Sequence, residues 1–214
     1  MPTIPIKQTL STLFHGLLNS YTQIFFSRQK WFAVLVIIAS FIDPVIGIGG
    51  MIAVIITNIF ALIVGYNRNY IYEGVYGFNS LLVGFGMGMY FEINFPFFLL
   101  LSFAAILTFL ITVWLLGKFS FFGLPIGSIS FVVVMWIVIL ATRQYNEMEL
   151  STRGIYIANE LWKVGGENLV NAYQTMNNLS LPKSIEIYLK SLGAIIFQYN
   201  LLAGFIIAVA LLFF

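Results

Sequence analysis

Residues 77–91 read GFNSLLVGFGMGMYF, an apolar stretch that is rich in glycine. A helix needs about 20 apolar residues to cross the hydrocarbon core of a bilayer, and this stretch is shorter than that. Irregular backbone at membrane depth survives only where protein covers it or where it lines a cavity. The stretch therefore predicts a half-membrane helix, or a helix with an unwound start, within a membrane fold.

Longer apolar segments flank this stretch on both sides. Turn-forming residues punctuate them, Asp43-Pro44 between the first two and Leu124-Pro125 near the start of the last. At about 20 residues a crossing, we expect four to five crossings once turns are placed. The predicted spans are residues 31–42, 51–65, 96–117 and 119–141.

The composition supports a membrane environment. Of the 214 residues, 60% are hydrophobic and only 8% are charged, whereas a soluble domain carries about 25% charged residues. Too few charges are present to cover a water-facing surface of this size. Lipid is therefore the predicted surroundings, and we expect a multi-pass integral membrane protein.

The amino-acid composition also excludes or disfavours several functional classes. The chain has no cysteine, and its net charge of +2 is too small to suggest nucleic acid. The single histidine, His15, is interpreted as structural or interfacial, and no cluster of histidines or acids suggests a metal or hydrolytic site. Asp43, Glu73 and Glu92 border spans and are interpreted as turn or cap residues. We expect neither an enzyme nor a cofactor.

The charged residues gather after the fourth predicted span. Residues 143–190 hold ten of the eighteen charges, with a helix-like piece at residues 155–170, and predict a polar connector. Residues 192–214 turn apolar again and have no flanking charge at their end, so we expect a truncated chain. The predicted divisions are residues 1–143, a connector at 144–184, and a further membrane unit starting at 185–214.

A weak internal repeat joins the first and last parts. Shifting the sequence by 171 residues aligns Phe26 with Phe197 and Ser20 with Ser191. Chance alone can produce such a match in so apolar a chain. Internal repeats in membrane proteins are typical of transporters and channels with two related halves, often of inverted topology.

Three patterns occur in a specific order: QIFF at residues 23–26, GVYGFNSLLVG at residues 74–84, and LPIGSISF at residues 124–131 with Trp136 following. Together they resemble the urea transporter family, as a divergent bacterial-type member. The resemblance covers residues from about 11 to 141 and from 191 to 214.

The resemblance implies an all-α polytopic membrane protein. Two inverted half-repeats with tilted half-membrane pore helices would enclose a narrow pore, with the second repeat incomplete in this chain. It also implies a homo-oligomer, most often a trimer, in the inner or plasma membrane. The implied function is a channel-type facilitator that passes urea between aromatic rings and along a line of oxygens.

Five site residues follow from the family positions. Gln23 matches a mouth-lining amide, Phe26 and Phe197 match slot-forming rings, Leu82 matches an apolar wall, and Ser128 stands where the family has a mid-pore threonine. Without the resemblance, such phenylalanines are core or lipid-facing. Gln23 would then be interfacial, and the serine hydroxyl would bond to a preceding helix carbonyl.

The chain also departs from the family pattern. Ala194 replaces a glutamine or glutamate, Ser130 replaces a proline, Ala33 replaces a glycine, and Arg28-Gln29-Lys30 replaces Asn-Asn-Pro. These changes leave two other functions open. One is a membrane anchor or sensor fused to a further domain, which the loss at Ala194 favours. The other is a secondary transporter of an unrelated substrate, driven by an ion gradient.

Overall fold

The computed structural model describes residues 6–27, 29–143, 148, 150, 167–168, 170–171, 173–175 and 181–212. Arg28 and most of the predicted connector, including residues 155–166 of its helix-like piece, lie outside this set. The described part is helical, apart from an isolated antiparallel bridge between Phe91 and Leu150. Its helices are α1 (Ile6–Gln23), α2 (Lys30–Ser40), α3 (Pro44–Val64), α4 (Arg68–Tyr72), α5 (Gly77–Tyr90), α6 (Phe95–Phe119), α7 (Ile129–Thr142), α8 (Lys183–Ala194) and α9 (Leu201–Leu212).

Two of the described helices are long and apolar enough to cross a membrane. They are α3, with 21 residues, and α6, which a 3₁₀ turn extends to Phe122 for a total of 28 residues. The other apolar helices, α2, α7 and α9, have 11, 14 and 12 residues. Two of the four to five expected crossings are thus seen as full-length helices, whereas turns at residues 41–43 and 123–128 bound the shorter helices α2 and α7.

The second span starts earlier than predicted. The Asp43 carboxylate accepts hydrogen bonds from the N–H groups of Val45 and Ile46, at 3.0 and 3.4 Å. Pro44 occupies the first helical position, where its missing N–H costs nothing. The helix therefore begins at Pro44 rather than near residue 51. The interpretation of Asp43 as a cap is confirmed.

The glycines that follow Pro44 lie inside α3, and two of them, Gly49 and Gly50, face α5. A Cβ atom added to Gly84 would overlap the carbonyl oxygen of Gly49, and one added to Gly88 would lie 2.9 Å from the Cα of Ile46. Small residues let two helix backbones approach this closely inside a membrane protein. The predicted short helix forms as α5, and all of its residues from 77 to 88 are buried except the half-buried Phe78.

A buried polar junction ties α5 to its two long neighbours. The Thr57 hydroxyl of α3 donates to Ser80 Oγ of α5 at 2.7 Å, and the Ser80 hydroxyl lies 3.5 Å from the carbonyl oxygen of Ala105 in α6. The three residues are fully buried. Hydroxyl contacts of this kind supply specificity between apolar helices, whose packing alone is poorly directional.

Helices α8 and α9 pack onto the first part of the chain. Ile196 and Ile207 are fully buried and share a core cluster with Val36 of α2 and Phe85 of α5. Gln198 donates from Nε2 to the carbonyl oxygen of Ser40 at 3.0 Å. The last described segment is therefore joined to α2 by both apolar and polar contacts.

The corner between α1 and α2 has the same backbone as the corner between α8 and α9. Phe26 and Phe197, 171 residues apart, have φ angles of 57° and 62° and are the non-glycine residues with positive φ in the described part. The left-handed conformation costs such a residue about 1–2 kcal/mol. In each corner two N–H groups close the helix end: Phe26 to Gln23 and Ser27 to Thr22, then Phe197 to Ala194 and Gln198 to Gly193.

The helix boundaries at the two corners are also 171 residues apart. Helix α1 ends at Gln23 and α8 at Ala194, while α2 begins at Lys30 and α9 at Leu201. The structure thus repeats one corner at the offset at which the sequence matches itself.

Candidate functional site

The break before α7 leaves one hydroxyl free. Gly123 and Gly127 adopt positive φ angles of 65° and 55°, and α7 starts only at Ile129. Ser128 stands at the N-cap position, exposed, and its side chain makes no hydrogen bond within the described part of the chain. The hydroxyl does not bond back to a helix carbonyl there, so it remains available to a ligand.

Asn79 of α5 holds this break in place. Its side chain is fully buried, with Nδ2 3.2 Å from the carbonyl oxygen of Gly127 and Oδ1 3.3 Å from the N–H of Phe131. A carbonyl can only accept and an N–H can only donate, so these two partners fix the orientation of the amide. The two bonds lie on either side of Ser128 and therefore fix the backbone that carries its hydroxyl.

Phe197 and Leu82 lie in one apolar cluster. The Phe197 ring meets the Phe131 ring edge-on, with centroids 5.9 Å apart and an angle of 75°. Its Cζ lies 3.5 Å from the point that a Cβ on Gly86 would occupy. Leu82 precedes Gly86 by one helical turn on the same face of α5, is 8% exposed and belongs to the same cluster. The missing side chain of Gly86 thus makes room for the ring.

Phe26 lies apart from that cluster. Its side chain is 84% exposed, and it does not belong to the cluster of Leu82 and Phe197. The structure therefore brings two of the predicted slot residues together and leaves the third on an open face.

Gln23 borders a polar cavity. It donates from Nε2 to the carbonyl oxygen of Glu73 at 3.2 Å, and Asn19, one turn earlier, donates from Nδ2 to the carbonyl oxygen of Tyr72 at 2.6 Å. The two bonds connect α1 to the end of α4. The cavity between them has a volume of about 270 Å³ and is lined by His15, Asn19, Thr22, Gln23, Ser27, Lys30, Tyr72 and Glu73.

Two residues at the site were not predicted, Asn79 and Asn19. A buried amide without partners costs several kcal/mol inside a membrane protein, so an asparagine within the apolar stretch of α5 must bind something. That cost was the available signal for Asn79. Asn19 lies four residues before Gln23, so helical spacing places both on one face of α1.

The departures from the family pattern fall in different surroundings. Ala194 is exposed at the end of α8, whereas Ala33 is fully buried in α2. The Ser130 hydroxyl is buried and has no hydrogen-bond partner in the part of the chain that the structure describes. In the described residues, no group of three histidines, cysteines or acids could hold a metal ion.

Comparison with known protein families gives one match, to the profile described as "Urea transporter", over residues 14–214. Comparison with curated proteins gives no significant match. The match spans nearly the whole chain and includes all three sequence patterns, the second half of α1, helices α2 to α9 and both phenylalanine corners. Proteins of this family are membrane transporters rather than enzymes, and the chain belongs to the urea transporter family.

Proposed function

We propose that the protein is a channel-type facilitator that passes urea, or a similar small neutral amide, down its concentration gradient. Membership of the urea transporter family supports urea transport in general. The observation that carries the finer proposal is the helix break clamped by Asn79, which leaves the Ser128 hydroxyl exposed and without a hydrogen-bond partner among the described residues. A free hydroxyl on a rigid backbone is a suitable hydrogen-bond partner for a passing solute.

The chemistry of urea matches this arrangement. Urea is planar, neutral and polar, so its faces lose hydration at little cost between aromatic rings or against an apolar wall. Its N–H groups still need acceptors, since an unmade hydrogen bond in a dry slot costs about 1–3 kcal/mol. Ions lose far more on dehydration and are excluded by the same surroundings.

Each predicted residue takes a distinct role in this proposal. Gln23 offers its amide at the mouth, Phe26 and Phe197 are the rings of the slot, Leu82 is the apolar wall between α5 and the ring, and Ser128 supplies the mid-pore hydroxyl. Serine keeps the hydroxyl of the family's threonine but lacks its methyl group. The constriction at Ser128 is therefore wider in this protein than in family members with threonine at this position.

The repeated corner supports a two-part architecture. We infer a first half-repeat at residues 1–143, a polar connector at 144–184 and a second half-repeat that begins at 185–214. In this arrangement the second half is inverted, the pore lies between the halves, and α1 and α5 serve as tilted or half-membrane pore helices. The resemblance to the family adds a homotrimer with one pore per subunit, in the inner or plasma membrane.

Urea flux through the reconstituted protein tests the proposal. Vesicles that hold the full-length protein are mixed with urea, and the volume change is followed with and without proton and sodium gradients. We expect urea flux above that of empty vesicles and independent of both gradients. Flux equal to that of empty vesicles would contradict the proposal and favour a membrane anchor or sensor, whereas gradient-dependent flux would indicate an ion-coupled transporter.

A matched pair of serine variants tests the role of the free hydroxyl. Ser128→Ala removes the exposed hydroxyl, while Ser102→Ala removes a hydroxyl of α6 that bonds to the Phe98 carbonyl at 2.8 Å. We expect Ser128→Ala to reduce urea flux about threefold or more, the effect of one lost hydrogen bond. Ser102→Ala should leave the flux unchanged. Equal fluxes in the two variants would remove Ser128 from the path.

A further inference from the structure

The polar face of α1 carries three side chains at intervals of four residues. His15, Asn19 and Gln23 follow one another at about 6 Å along the helix and lie on one face. All three line the cavity of about 270 Å³ whose opposite wall includes Tyr72 and Glu73. A row of this kind extends from the predicted mouth residue, Gln23, for two further turns of the helix.

The two amides that line the cavity use their nitrogens, not their oxygens, in hydrogen bonds to the protein. The side-chain nitrogens of Asn19 and Gln23 bond to the carbonyl oxygens of Tyr72 and Glu73, which can only accept. Each amide has one nitrogen and one oxygen, so the orientation of both is fixed. Asn19 Oδ1 and Gln23 Oε1 have no hydrogen-bond partner in the described part of the chain and remain free acceptors.

His15 adds a third acceptor in its neutral form. Its Nδ1 lies 2.8 Å from the carbonyl oxygen of Ser11, so this nitrogen carries the proton. Nε2 is then unprotonated and accepts. The imidazole stacks on the Tyr72 ring, with centroids 4.8 Å apart and an angle of 19°, which fixes the plane of the ring.

The charges around the cavity favour a neutral ligand. Lys30 and Glu73 both line it, and their opposite charges balance. Neither a cation nor an anion therefore gains a net attraction from this pair. A neutral, planar solute with several N–H groups has the complementary hydrogen-bonding pattern.

We propose that this cavity is a holding site for urea, in which His15, Asn19 and Gln23 accept N–H hydrogen bonds before the solute enters the pore. The site rests on the proposed function of the protein. It adds a place where solute is concentrated beside the mouth, outside the cluster of Phe197 and Leu82. Its effect falls on the concentration at which flux saturates and much less on the maximal flux.

Two variants of the full-length protein test the site in vesicles. His15→Phe keeps the ring that stacks on Tyr72 and removes the acceptor, and Asn19→Leu removes the second acceptor together with its bond to Tyr72. Thr12→Ala is the control, because its hydroxyl bonds to the Gln8 carbonyl on the same helix and does not line the cavity. Initial urea flux is measured against urea concentration.

We expect the half-saturating urea concentration to rise about threefold or more in His15→Phe and Asn19→Leu, with a maximal flux within about twofold of the parent. The control should match the parent. An unchanged half-saturating concentration in His15→Phe would overturn the holding site while leaving the proposed function intact. Absence of urea flux in the parent would instead contradict the proposed function. If Asn19→Leu does not fold, His15→Phe decides the outcome.

Discussion

The corner at Phe26 and the corner at Phe197 share a backbone and differ in their surroundings. Each ends a helix with the same two main-chain hydrogen bonds and places a phenylalanine in the left-handed region. Phe197 packs against Phe131, but Phe26 is 84% exposed. The same local backbone therefore carries both rings, and the neighbouring helices determine which ring is packed.

The residues that follow each phenylalanine also differ in how they bond to the rest of the fold. Gln198 is buried and reaches Ser40 in α2, and Asn200 accepts the Ala203 N–H at 2.7 Å to cap α9. In the first corner, Ser27 is also buried, but its side chain bonds within the described part of the chain only to the nearby Gln29 N–H, at 3.2 Å. The second corner is anchored in the core, whereas the first borders the polar cavity. We expect variants of the second corner to affect stability and variants of the first to affect transport.

Exchanging the next-to-last residues of α1 and α8 should have the largest effect on stability. Gly193→Thr installs the residue found at the equivalent position of the first corner, Thr22, and its Cβ would overlap the carbonyl oxygen of Gln198. Overpacking at this backbone contact should cost about 3 kcal/mol of stability. Thermal unfolding of the full-length protein in detergent measures the loss.

The reciprocal variant, Thr22→Gly, serves as the control. It creates no collision and should cost about 1 kcal/mol or less through helix propensity. Equal losses in the two variants would show that the corners do not differ in packing.

Loss of the clamp at the helix break should have the next largest effect. Asn79→Leu leaves the Gly127 carbonyl and the Phe131 N–H without partners, at a cost of about 2 kcal/mol. Phe131 would move and its contact with Phe197 would weaken, while Phe26 would be unaffected. We expect reduced urea flux and a lower unfolding temperature. Asn67→Ala, at the exposed N-cap of α4, is a control amide whose loss should leave the flux unchanged.

Replacing each phenylalanine with alanine shows how much each ring contributes to stability. Phe197→Ala removes a half-buried ring from the core cluster and should cost about 2 kcal/mol. Phe26→Ala removes an exposed ring and should change the stability by less than about 0.5 kcal/mol. The free energies of unfolding of the two variants are compared in one detergent. A larger loss in Phe26→Ala would show that the first ring is packed in the assembled protein.

Glycine at each phenylalanine position should give the smallest and most discriminating change. Phe26→Gly relieves the left-handed backbone and should raise the stability by up to about 1 kcal/mol. Phe197→Gly gains the same relief but loses the packing against Phe131, so the protein should be less stable than the parent. Unfolding temperatures report the sign of each change, and the same sign in both variants would contradict the difference in packing.

Much of the fold follows from the sequence because the bilayer restricts what an apolar segment can do. The short helix at α5, the break before α7 and the Asp43 cap were all predictable from length, proline and polar spacing. The early start of α3 was not predictable, because the glycines near residues 47–50 usually interrupt helices in isolation. Here Gly49 and Gly50 are held in the helix by contact with Gly84.

The site was predictable only in part. Family position gives Gln23, Phe26, Leu82, Ser128 and Phe197, and the structure places Leu82 with Phe197. The clamp at Asn79 and the acceptor at Asn19 depend on contacts across about 50 positions in the sequence. Local spacing contains no information on such contacts, so they become visible only when the helices are packed.

Urea permeability of the full-length Phe26→Ala protein in vesicles is the most direct test of the central claim, that urea passes along a phenylalanine-lined path. The left-handed corner presents this ring on an open face where it adds little to stability. We predict a permeability about tenfold or more below the parent, which corresponds to about 1.4 kcal/mol, with an unchanged unfolding temperature. A permeability equal to that of the parent would contradict the account.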